Sequence, residues 1–333
     1  MKKFINNIDN ILAESLSGFA SAHQDLVSLN LEPNFLTRKH KASNKVAIIS
    51  GGGSGHEPLH AGYIGKGMLD AACPGHVFTS PTPDQMLAAA EAVHADKGIL
   101  FIVKNYAGDV MNFEMAAEML PFTSATVLTS DDCAVINSTY TTGRRGVAGT
   151  MIVEKCVGSL AETGASLEAC KTLGDKVNQR TSSIGVALTS CTVPAAGRPT
   201  FDISDNEIEM GVGIHGEPGR RRETMREADS MVQDMVQAIL EDFAAKNLPT
   251  QGARALLLVN GLGATPLMEL YLIYNRAAQL LAKHGVTINR SLVGNYTTAL
   301  DMAGASITLC LLDDEIMQHW DSPVHTPALR WGF

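Results

Sequence analysis

Two glycine-rich segments of similar sequence each carry one histidine. Residues 51–58 read Gly-Gly-Gly-Ser-Gly-His-Glu-Pro, and residues 211–218 read Gly-Val-Gly-Ile-His-Gly-Glu-Pro. Glycines allow backbone amides to approach a polar ligand closely, and an imidazole can act as a base or a nucleophile near neutral pH. His56 and His215 are therefore candidate catalytic residues. The alternative for the first segment is a tight turn from strand to helix that binds no ligand.

A lysine and an aspartate follow a predicted strand. Residues 99–103 are all apolar, as expected of a buried strand, and Lys104 and Asp109 come directly after it. If this strand runs parallel to the strand before Gly51, both side chains lie at the same strand ends as His56. This combination suits a small hydroxylated substrate, with imidazole and carboxylate available for acid–base chemistry. The alternative is an ordinary salt bridge within the loop.

Two known sequence motifs occur in the chain, but the residues around them do not fit the sites that these motifs usually form. Residues 56–60 fit the zinc signature H-E-x-x-H, but Pro58 is tolerated only in the first turn of a helix, which excludes the spacing that zinc needs. Residues 211–216 fit the dinucleotide fingerprint G-x-G-x-x-G, but Glu-Pro-Gly and three arginines follow where a helix should begin. We therefore predict no metal and no bound nucleotide, and we expect His60 to pack beside the site.

Clustered arginines occur twice, at 143–146 and at 220–222. No Walker-type phosphate loop accompanies them, since the glycine-rich segments lack the required lysine and hydroxyl residue. We expect these arginines to be solvated or to face a partner rather than to bind phosphate.

The elements that must position these residues alternate between strand and helix. This pattern predicts an α/β fold of two domains, each a mixed β-sheet with flanking helices, with the substrate site between glycine-rich strand-end loops. The first domain covers 1–183, a tail at 321–333 can return to it, and the second covers 184–320. The predicted strands cover 46–49, 99–103, 125–128, 184–188, 208–214, 255–259, 286–293 and 306–312. The predicted helices cover 4–19, 83–95, 148–162, 167–179, 222–246 and 267–283.

Composition narrows the classes of function. Of the 333 residues, 45% are hydrophobic and 18% are charged, which excludes a mainly disordered chain. A net charge of −9 makes nucleic acid and anionic membranes poor partners. Polar residues interrupt the N-terminal segment, and no apolar run is long enough to span a membrane. The six scattered cysteines indicate reduced thiols. We therefore predict a cytoplasmic protein.

Over nearly its whole length the chain resembles the dihydroxyacetone-binding K subunits of bacterial dihydroxyacetone kinases. The resemblance depends on several motifs together and not on any one of them. They are G-G-G-S-G-H-E-P at 51–58, F-T-S-P-T-P-D at 78–84, K-N-Y-x-G-D at 104–109, G-R-R-G-V-A at 143–148, C-T-V-P-A-A-G at 191–197, G-V-G-I-H-G-E-P at 211–218 and G-A-T-P-L at 263–267.

The resemblance implies a covalent way of binding substrate. In this family His215 would attack the carbonyl carbon of dihydroxyacetone and hold it as a hemiaminal, which selects a ketone over glycerol because only a carbonyl accepts the nucleophile. His56 and Asp109 would assist removal of the hydroxyl proton during phosphoryl transfer. The remaining substrate-binding residues would be Gly53, Ser54, Gly55 and Lys104.

The resemblance also implies partners. The chain is of the short kind, without an appended nucleotide domain, so it would bind no cofactor itself. ADP and Mg²⁺ would sit on a partner L subunit, which a phosphotransferase-system M subunit recharges from phosphoenolpyruvate. The K subunit would be a homodimer. The alternative is a coactivator that senses dihydroxyacetone without kinase activity. Retention of His56 and Asp109 beside His215 favours the enzyme, because a sensor needs only the residue that holds the ligand.

Overall fold

The computed structural model describes residues 2–332, which form two six-stranded sheets and one two-stranded sheet. The first sheet has the order β1-β2-β4-β3-β5-β6. Its central strands β3, β4, β5 and β6 are parallel neighbours, while β1 and β2 form an antiparallel edge. The strands are β1 (Val27–Leu31), β2 (Asn34–Arg38), β3 (Ala47–Ser54), β4 (Ala71–Val77), β5 (Ile99–Lys104) and β6 (Ser124–Thr129).

The second sheet has the order β11-β10-β12-β7-β8-β9 and is antiparallel except for the pair β10 and β11. A short hairpin, β13 with β14, closes the chain. The strands are β7 (Thr181–Ala187), β8 (Glu207–Met210), β9 (Arg221–Thr224), β10 (Arg254–Gly261), β11 (Thr287–Gly294), β12 (Gly304–Leu312), β13 (Val324–His325) and β14 (Arg330–Trp331). Two mixed sheets with flanking helices confirm the predicted α/β class.

Eight α-helices surround and separate the sheets of the described part of the chain. They are α1 (Ile11–Ala22), α2 (Pro83–Val93), α3 (Ala107–Met119), α4 (Gly149–Glu162), α5 (Leu167–Gln179), α6 (Ala228–Ala245), α7 (Leu267–Lys283) and α8 (Asp314–Asp321), with short 3-10 helices at Ile8–Asn10 and Ala61–Tyr63. Helix α2 begins as its sequence predicts, because Thr82 and Gln85 form a capping box around Pro83 at the first helical position.

Helix α4 lies between the two sheets. Nearly all of its residues are buried, and its apolar side chains join one cluster with Leu100 of β5 and with Leu256 and Leu258 of β10. A helix that is buried on nearly every side lies inside the protein rather than on its surface, and α4 buries its polar Glu154 and Lys155 as well. The two sheets therefore share this helix. The division at residues 183 and 184 stays a prediction, and that position falls inside β7.

The first glycine-rich segment is strand for most of its length. The prediction that the strand ends before Gly51 is wrong, because β3 continues through Ser54 and pairs Gly51 with Cys73 and Gly53 with Gly75 of β4. A Cβ atom at Gly51 would lie 2.6 Å from the Cys73 carbonyl oxygen, and one at Gly53 would lie 2.6 Å from the Thr79 nitrogen. Glycine is required here by close backbone approach within a sheet.

Other differences have local causes. The helix predicted over 222–246 begins only at Ala228, because β9 takes up Arg221–Thr224 as an antiparallel edge strand. The strand predicted over 208–214 ends at Met210, and the N-terminal helix begins at Ile11 rather than near residue 4. Elements without a clear periodic signal were not predicted from the sequence: β1, β2, β4, α3 and α8. Within 2–332 no helix combines the length and apolarity that crossing a membrane requires.

The tail contacts loops that follow β3. The His325 amide donates to the Lys66 carbonyl oxygen at 2.9 Å, and the Ala328 amide donates to the Gly62 carbonyl oxygen at 2.9 Å. The last strands thus lie beside loops of the first sheet, and the return of the tail to the first domain stays a prediction.

Candidate active site between the two sheets

A cavity of about 1080 Å³ opens between the ends of the two sheets. Gly53 of β3, Tyr106 and Asp109 line it from the first sheet, and His215 and Glu217 line it from the loop between β8 and β9. The parallel strands β3 and β5 end at this edge, as expected for a ligand site in an open α/β sheet. The structure thus brings together residues from both predicted domains.

His215 is held by a buried carboxylate. Its Nδ1 lies 2.8 Å from Glu217 Oε1, and its backbone amide donates to Glu217 Oε2 at 2.9 Å. Burial alone would raise the pKa of Glu217, but the charge and hydrogen bond of His215 and the charge of Arg145 lower it to about 2. An ionised carboxylate can only accept, so Nδ1 of His215 carries the proton. Nε2 of His215 is therefore the ring nitrogen that can form a bond to a substrate.

His56 faces His215 from the end of β3. Its Nδ1 lies 2.7 Å from the Thr298 carbonyl oxygen, which can only accept, so this nitrogen also carries a proton. Its Nε2 lies 3.0 Å from Nε2 of His215. Two lone pairs would then face each other, and a shared proton or a polar hydrogen of a ligand satisfies both. Burial, followed by the charges of His215 and Lys104, lowers the pKa of His56 well below its ordinary value.

Aromatic rings fix the orientation of both imidazoles. Phe78 stacks on His56 with ring centroids 4.9 Å apart, and it meets His215 edge-on at 5.0 Å. Tyr106 meets His215 edge-on from another side at 4.6 Å. These contacts exclude water from the ring faces, and they lock the rotamers that bring the two Nε2 atoms together.

Asp109 forms a polar wall of the cavity, and Lys104 is buried behind it. Lys104, the last residue of β5, is only 1% exposed, and its Nζ lies 3.3 Å from Asp109 Oδ2. Asp109 occupies the first turn of α3, where the helix dipole favours a carboxylate, and it also accepts a hydrogen bond from the Ser80 hydroxyl. A Cβ atom at Gly52 would clash with Lys104 Nζ, so glycine makes room for the ammonium group.

Two of the predicted site residues lie elsewhere. The Ser54 hydroxyl donates to the Gly75 carbonyl oxygen at 2.7 Å, and Gly55 donates its amide to Glu57. Both residues line a separate cavity of about 440 Å³ beneath α1, to which Gly53 also contributes. Of the predicted glycine-rich residues, only the Gly53 backbone therefore reaches the cavity of His215.

The arginine cluster at 143–146 is not on the surface. The expectation of solvated or partner-facing side chains is wrong for Arg145, which is 0% exposed. Its Nε donates to Asp132 at 2.8 Å, and one terminal nitrogen donates to the Gly211 carbonyl oxygen at 2.7 Å. Its positive charge contributes to the low pKa of Glu217. Arg145 thus supports the loop of His215 from behind.

The second arginine cluster remains exposed. Arg221 pairs with Asp234 at 2.6 Å, and Arg222 pairs with Glu209 at 3.1 Å. These are surface ion pairs, which contribute little to stability.

Several partners of the catalytic candidates had no assigned role in the sequence analysis. Glu217 and Tyr106 stand inside the quoted motifs, and the Ser80 and Phe78 side chains belong to the motif at 78–84, so the motifs were the available signal. Thr298 contributes only a backbone carbonyl, which no residue pattern reveals.

The chain has extensive similarity to known proteins. The Dak1 domain family matches residues 17–328. The chain is 49% identical to "PEP-dependent dihydroxyacetone kinase, dihydroxyacetone-binding subunit DhaK" of Escherichia coli K12, with 100% of both chains covered. It is 47% identical to "PTS-dependent dihydroxyacetone kinase 1, dihydroxyacetone-binding subunit DhaK" of Listeria innocua, with 95% of both chains covered.

Solved structures show the same fold. The native dihydroxyacetone kinase of C. freundii superposes with a TM-score of 0.88 at 34% identity, covering 99% of this chain and 60% of the other. The dihydroxyacetone kinase operon co-activator Dha-DhaQ also superposes with a TM-score of 0.88, at 33% identity, covering 97% of this chain and 98% of the other.

Proposed function

The chain belongs to the Dak1 domain family, and from this premise we propose that it is the dihydroxyacetone-binding subunit of a phosphoenolpyruvate-dependent dihydroxyacetone kinase. It is an enzyme subunit of the phosphotransferase class, as its relatives from Escherichia coli and Listeria innocua are named. One observation of the site carries the proposal: Glu217 leaves Nε2 of His215 free, 3.0 Å from a second imidazole and at the wall of a cavity.

Substrate binding would proceed by attack of His215. Its Nε2 lone pair forms the bond to the carbonyl carbon of dihydroxyacetone, and the carbonyl π electrons move to oxygen. That oxygen takes the proton shared between the two Nε2 atoms. His56 is left neutral, and the alkylated imidazolium of His215 is paired with the Glu217 carboxylate, so the net charge of the site does not change. The low pKa of His56, caused mainly by burial, favours this neutral state.

Phosphoryl transfer would then use the polar wall. Either Asp109 or neutral His56 accepts the proton of a substrate hydroxyl as the hydroxyl attacks phosphorus, the other group assists through a hydrogen bond, and Lys104 holds Asp109 in place. The backbone of Gly53 binds the substrate, and the same role for the adjacent Ser54 and Gly55 stays a prediction. In-line transfer depends on positioning and on neutralising charge, which a partner that carries the donor can supply.

The proposed partners follow from the proposed kinase function. We propose that an L subunit with ADP and Mg²⁺ donates the phosphoryl group and is recharged through an M subunit of the phosphotransferase system. This chain would bind no cofactor and would form a homodimer. The printed names of the relatives as PEP-dependent or PTS-dependent support a donor on another protein.

The decisive experiment measures dihydroxyacetone phosphate formation by the purified chain. The complete mixture contains phosphoenolpyruvate, the phosphotransferase components and an ADP-loaded L subunit, and the control contains ATP alone. We expect product only in the complete mixture. Absence of product with an L subunit of proven activity would overturn the kinase proposal.

A second candidate is a ligand-sensing coactivator, which the similarity to Dha-DhaQ supports. A coactivator would still form the adduct at His215, but it would not transfer a phosphoryl group. The presence of Asp109 at the cavity and of His56 beside His215 favours the kinase. Adduct formation without turnover would favour the coactivator instead.

A further inference from the structure

A buried polar chain extends away from the cavity behind Lys104. Ser50 and Glu154 are 0% exposed and His60 is 6% exposed. His60 Nδ1 lies 2.5 Å from Glu154 Oε1 and 3.0 Å from Ser50 Oγ, while its Nε2 lies 3.4 Å from Lys104 Nζ. Since Lys104 contacts Asp109, a carboxylate on α4 is connected through His60 to the cavity wall.

The direction of these hydrogen bonds is determined by a carbonyl group. The Ser50 hydroxyl donates to the Ile102 carbonyl oxygen at 2.7 Å, so its oxygen can only accept from His60 Nδ1. His60 therefore carries its proton on Nδ1, and it shares that proton between Ser50 and Glu154. Its Nε2 is left as a lone pair that accepts from the Lys104 ammonium group. This direction also excludes Ser50 as a nucleophile activated by His60, because its proton is already directed at Ile102.

Stability alone does not account for Glu154. Within residues 2–332 no group donates to its Oε2, although that atom is buried. A buried carboxylate oxygen without a partner costs free energy, and a neutral residue of the same size would avoid that cost. Burial raises the pKa of Glu154 to about 8, and the Lys104 charge only partly opposes this. Tyr63 beside Glu154, and His56 beside His60, are the other titratable groups that act on this chain of residues.

We propose that His60 and Glu154 are positioning residues for phosphoryl transfer, which hold the Lys104 ammonium group in register with Asp109. The inference rests on the proposed function, since it concerns the same transfer step. With His60 as a second acceptor, the Lys104 ammonium group is shared between His60 and the Asp109 carboxylate, which it contacts at 3.3 Å. Without it, the ammonium group moves onto the carboxylate and competes with the substrate hydroxyl for its oxygens. Turnover should then fall, whereas adduct formation at His215 should not.

Four variants test the role. Glu154→Gln removes the ionisable carboxyl group, and His60→Leu removes the hydrogen bonds of His60 to Ser50, Glu154 and Lys104. His60→Gln keeps an acceptor for Lys104 and a donor for Glu154, so it should rescue much of the loss. Ser159→Ala is the control, because Ser159 is a buried residue of the same helix that bonds to His319 instead. We expect kcat to fall about tenfold or more for Glu154→Gln and His60→Leu. Dihydroxyacetone binding should stay within about twofold of wild type, as expected when an interaction in the transition state alone is lost.

Three results would overturn the inference. They are a wild-type kcat in Glu154→Gln, an equal loss of kcat in Ser159→Ala, and an equal loss in His60→Gln and His60→Leu. Nitrogen NMR of the wild-type chain gives a test that does not need turnover. The proton of His60 should reside on Nδ1, and finding it on Nε2 would exclude acceptance from Lys104. Failure of the wild-type chain to form product would instead count against the proposed function, while the NMR result would still decide the direction of the hydrogen bonds.

Discussion

The two glycine-rich segments have similar sequences but different structures. Residues 51–54 are strand and are wholly buried in the first sheet, and His56 follows them at 1% exposure. Residues 211–220 form the loop between β8 and β9, and the His215 side chain is 16% exposed at the cavity. Position in the fold therefore assigns different roles to similar residues. The buried imidazole of His56 after β3 is suited to act as a base, and the imidazole of His215 in the loop is suited to act as a nucleophile.

The glutamates of the two segments differ in the same way. Glu217 receives the Nδ1 hydrogen of His215, whereas Glu57 accepts the backbone amide of Gly55 at 3.0 Å. Glu217 orients the reactive ring of His215, whereas Glu57 closes a turn. One residue of separation between histidine and glutamate makes the difference, because His56 and Glu57 are adjacent while Gly216 separates His215 from Glu217.

The largest effect is expected from removing the proposed nucleophile. His215→Ala should lower dihydroxyacetone affinity by about a thousandfold or more and abolish turnover, because no group remains to form the covalent bond. Calorimetric titration and intact-mass measurement of the adduct would check this. Wild-type affinity in the variant would contradict the assignment of His215 as the covalent residue.

Removing the His56 imidazole should lower turnover without preventing adduct formation. His56→Asn should lower kcat by about a hundredfold, since a general base is lost, while adduct formation at His215 persists. Steady-state kinetics beside the same titration separates the two effects. Equal loss of affinity in His56→Asn and His215→Ala would remove the distinction between the segments.

Substitution of the two glutamates should change adduct formation by a smaller factor than loss of His215 changes affinity. Glu217→Gln should lower adduct formation by about tenfold to a hundredfold, because the imidazolium loses its counter-charge. Glu57→Gln is the matched control and should stay within about threefold of wild type, because no histidine nitrogen bonds to Glu57 among the described hydrogen bonds. Similar losses in both variants would show that only the turn geometry matters.

Acid stability gives a further test of Glu217. Because the pKa of Glu217 is lowered from 4.5 to about 2, its ionised form stabilises the folded state above pH 4.5. That stabilisation is lost as the pH falls from about 4.5 toward 2. Unfolding curves of Glu217→Gln should therefore converge with those of wild type in acid. A constant difference in stability across this range would contradict the prediction.

The smallest expected effect is a flat pH response around the ordinary histidine pKa. Burial lowers the pKa of His56 well below 6.5, so the base stays neutral from pH 8 down through pH 6. Its ring resonances should not titrate near pH 6.5, and the rate should not fall there through loss of this base. A His56 titration midpoint near 6.5 would show that the ring is exposed to solvent.

Much of the fold was predictable from apolar runs and helix signals. Helix α7 has the predicted bounds, and β5, β10 and β12 were placed within a few residues. The missed elements lack such signals. Strand β4 contains Pro74 and Gly75, which read as a turn, and the buried stretch of α3 is short because its first turn belongs to the cavity.

The candidate site was also predictable only in part from the sequence. The residue types of His56, Lys104, Asp109 and His215, and their positions after apolar strands, are properties of the local sequence. That they meet depends on contacts between residues more than a hundred positions apart, such as the 3.0 Å approach of His56 and His215. The burial of Arg145 and the polar chain through Glu154 depend on the same distant packing.

The sequence alone determined the family, the α/β alternation and the groups available for chemistry, since these depend on residue type and short spacing. The tertiary structure decided which histidine nitrogen is free, which glutamate is a counter-ion and which lysine is held in place. Those properties arise from burial and from the direction of hydrogen bonds to carbonyl and carboxylate oxygens. Both are set by atoms that only the folded chain brings within about 3 Å of one another.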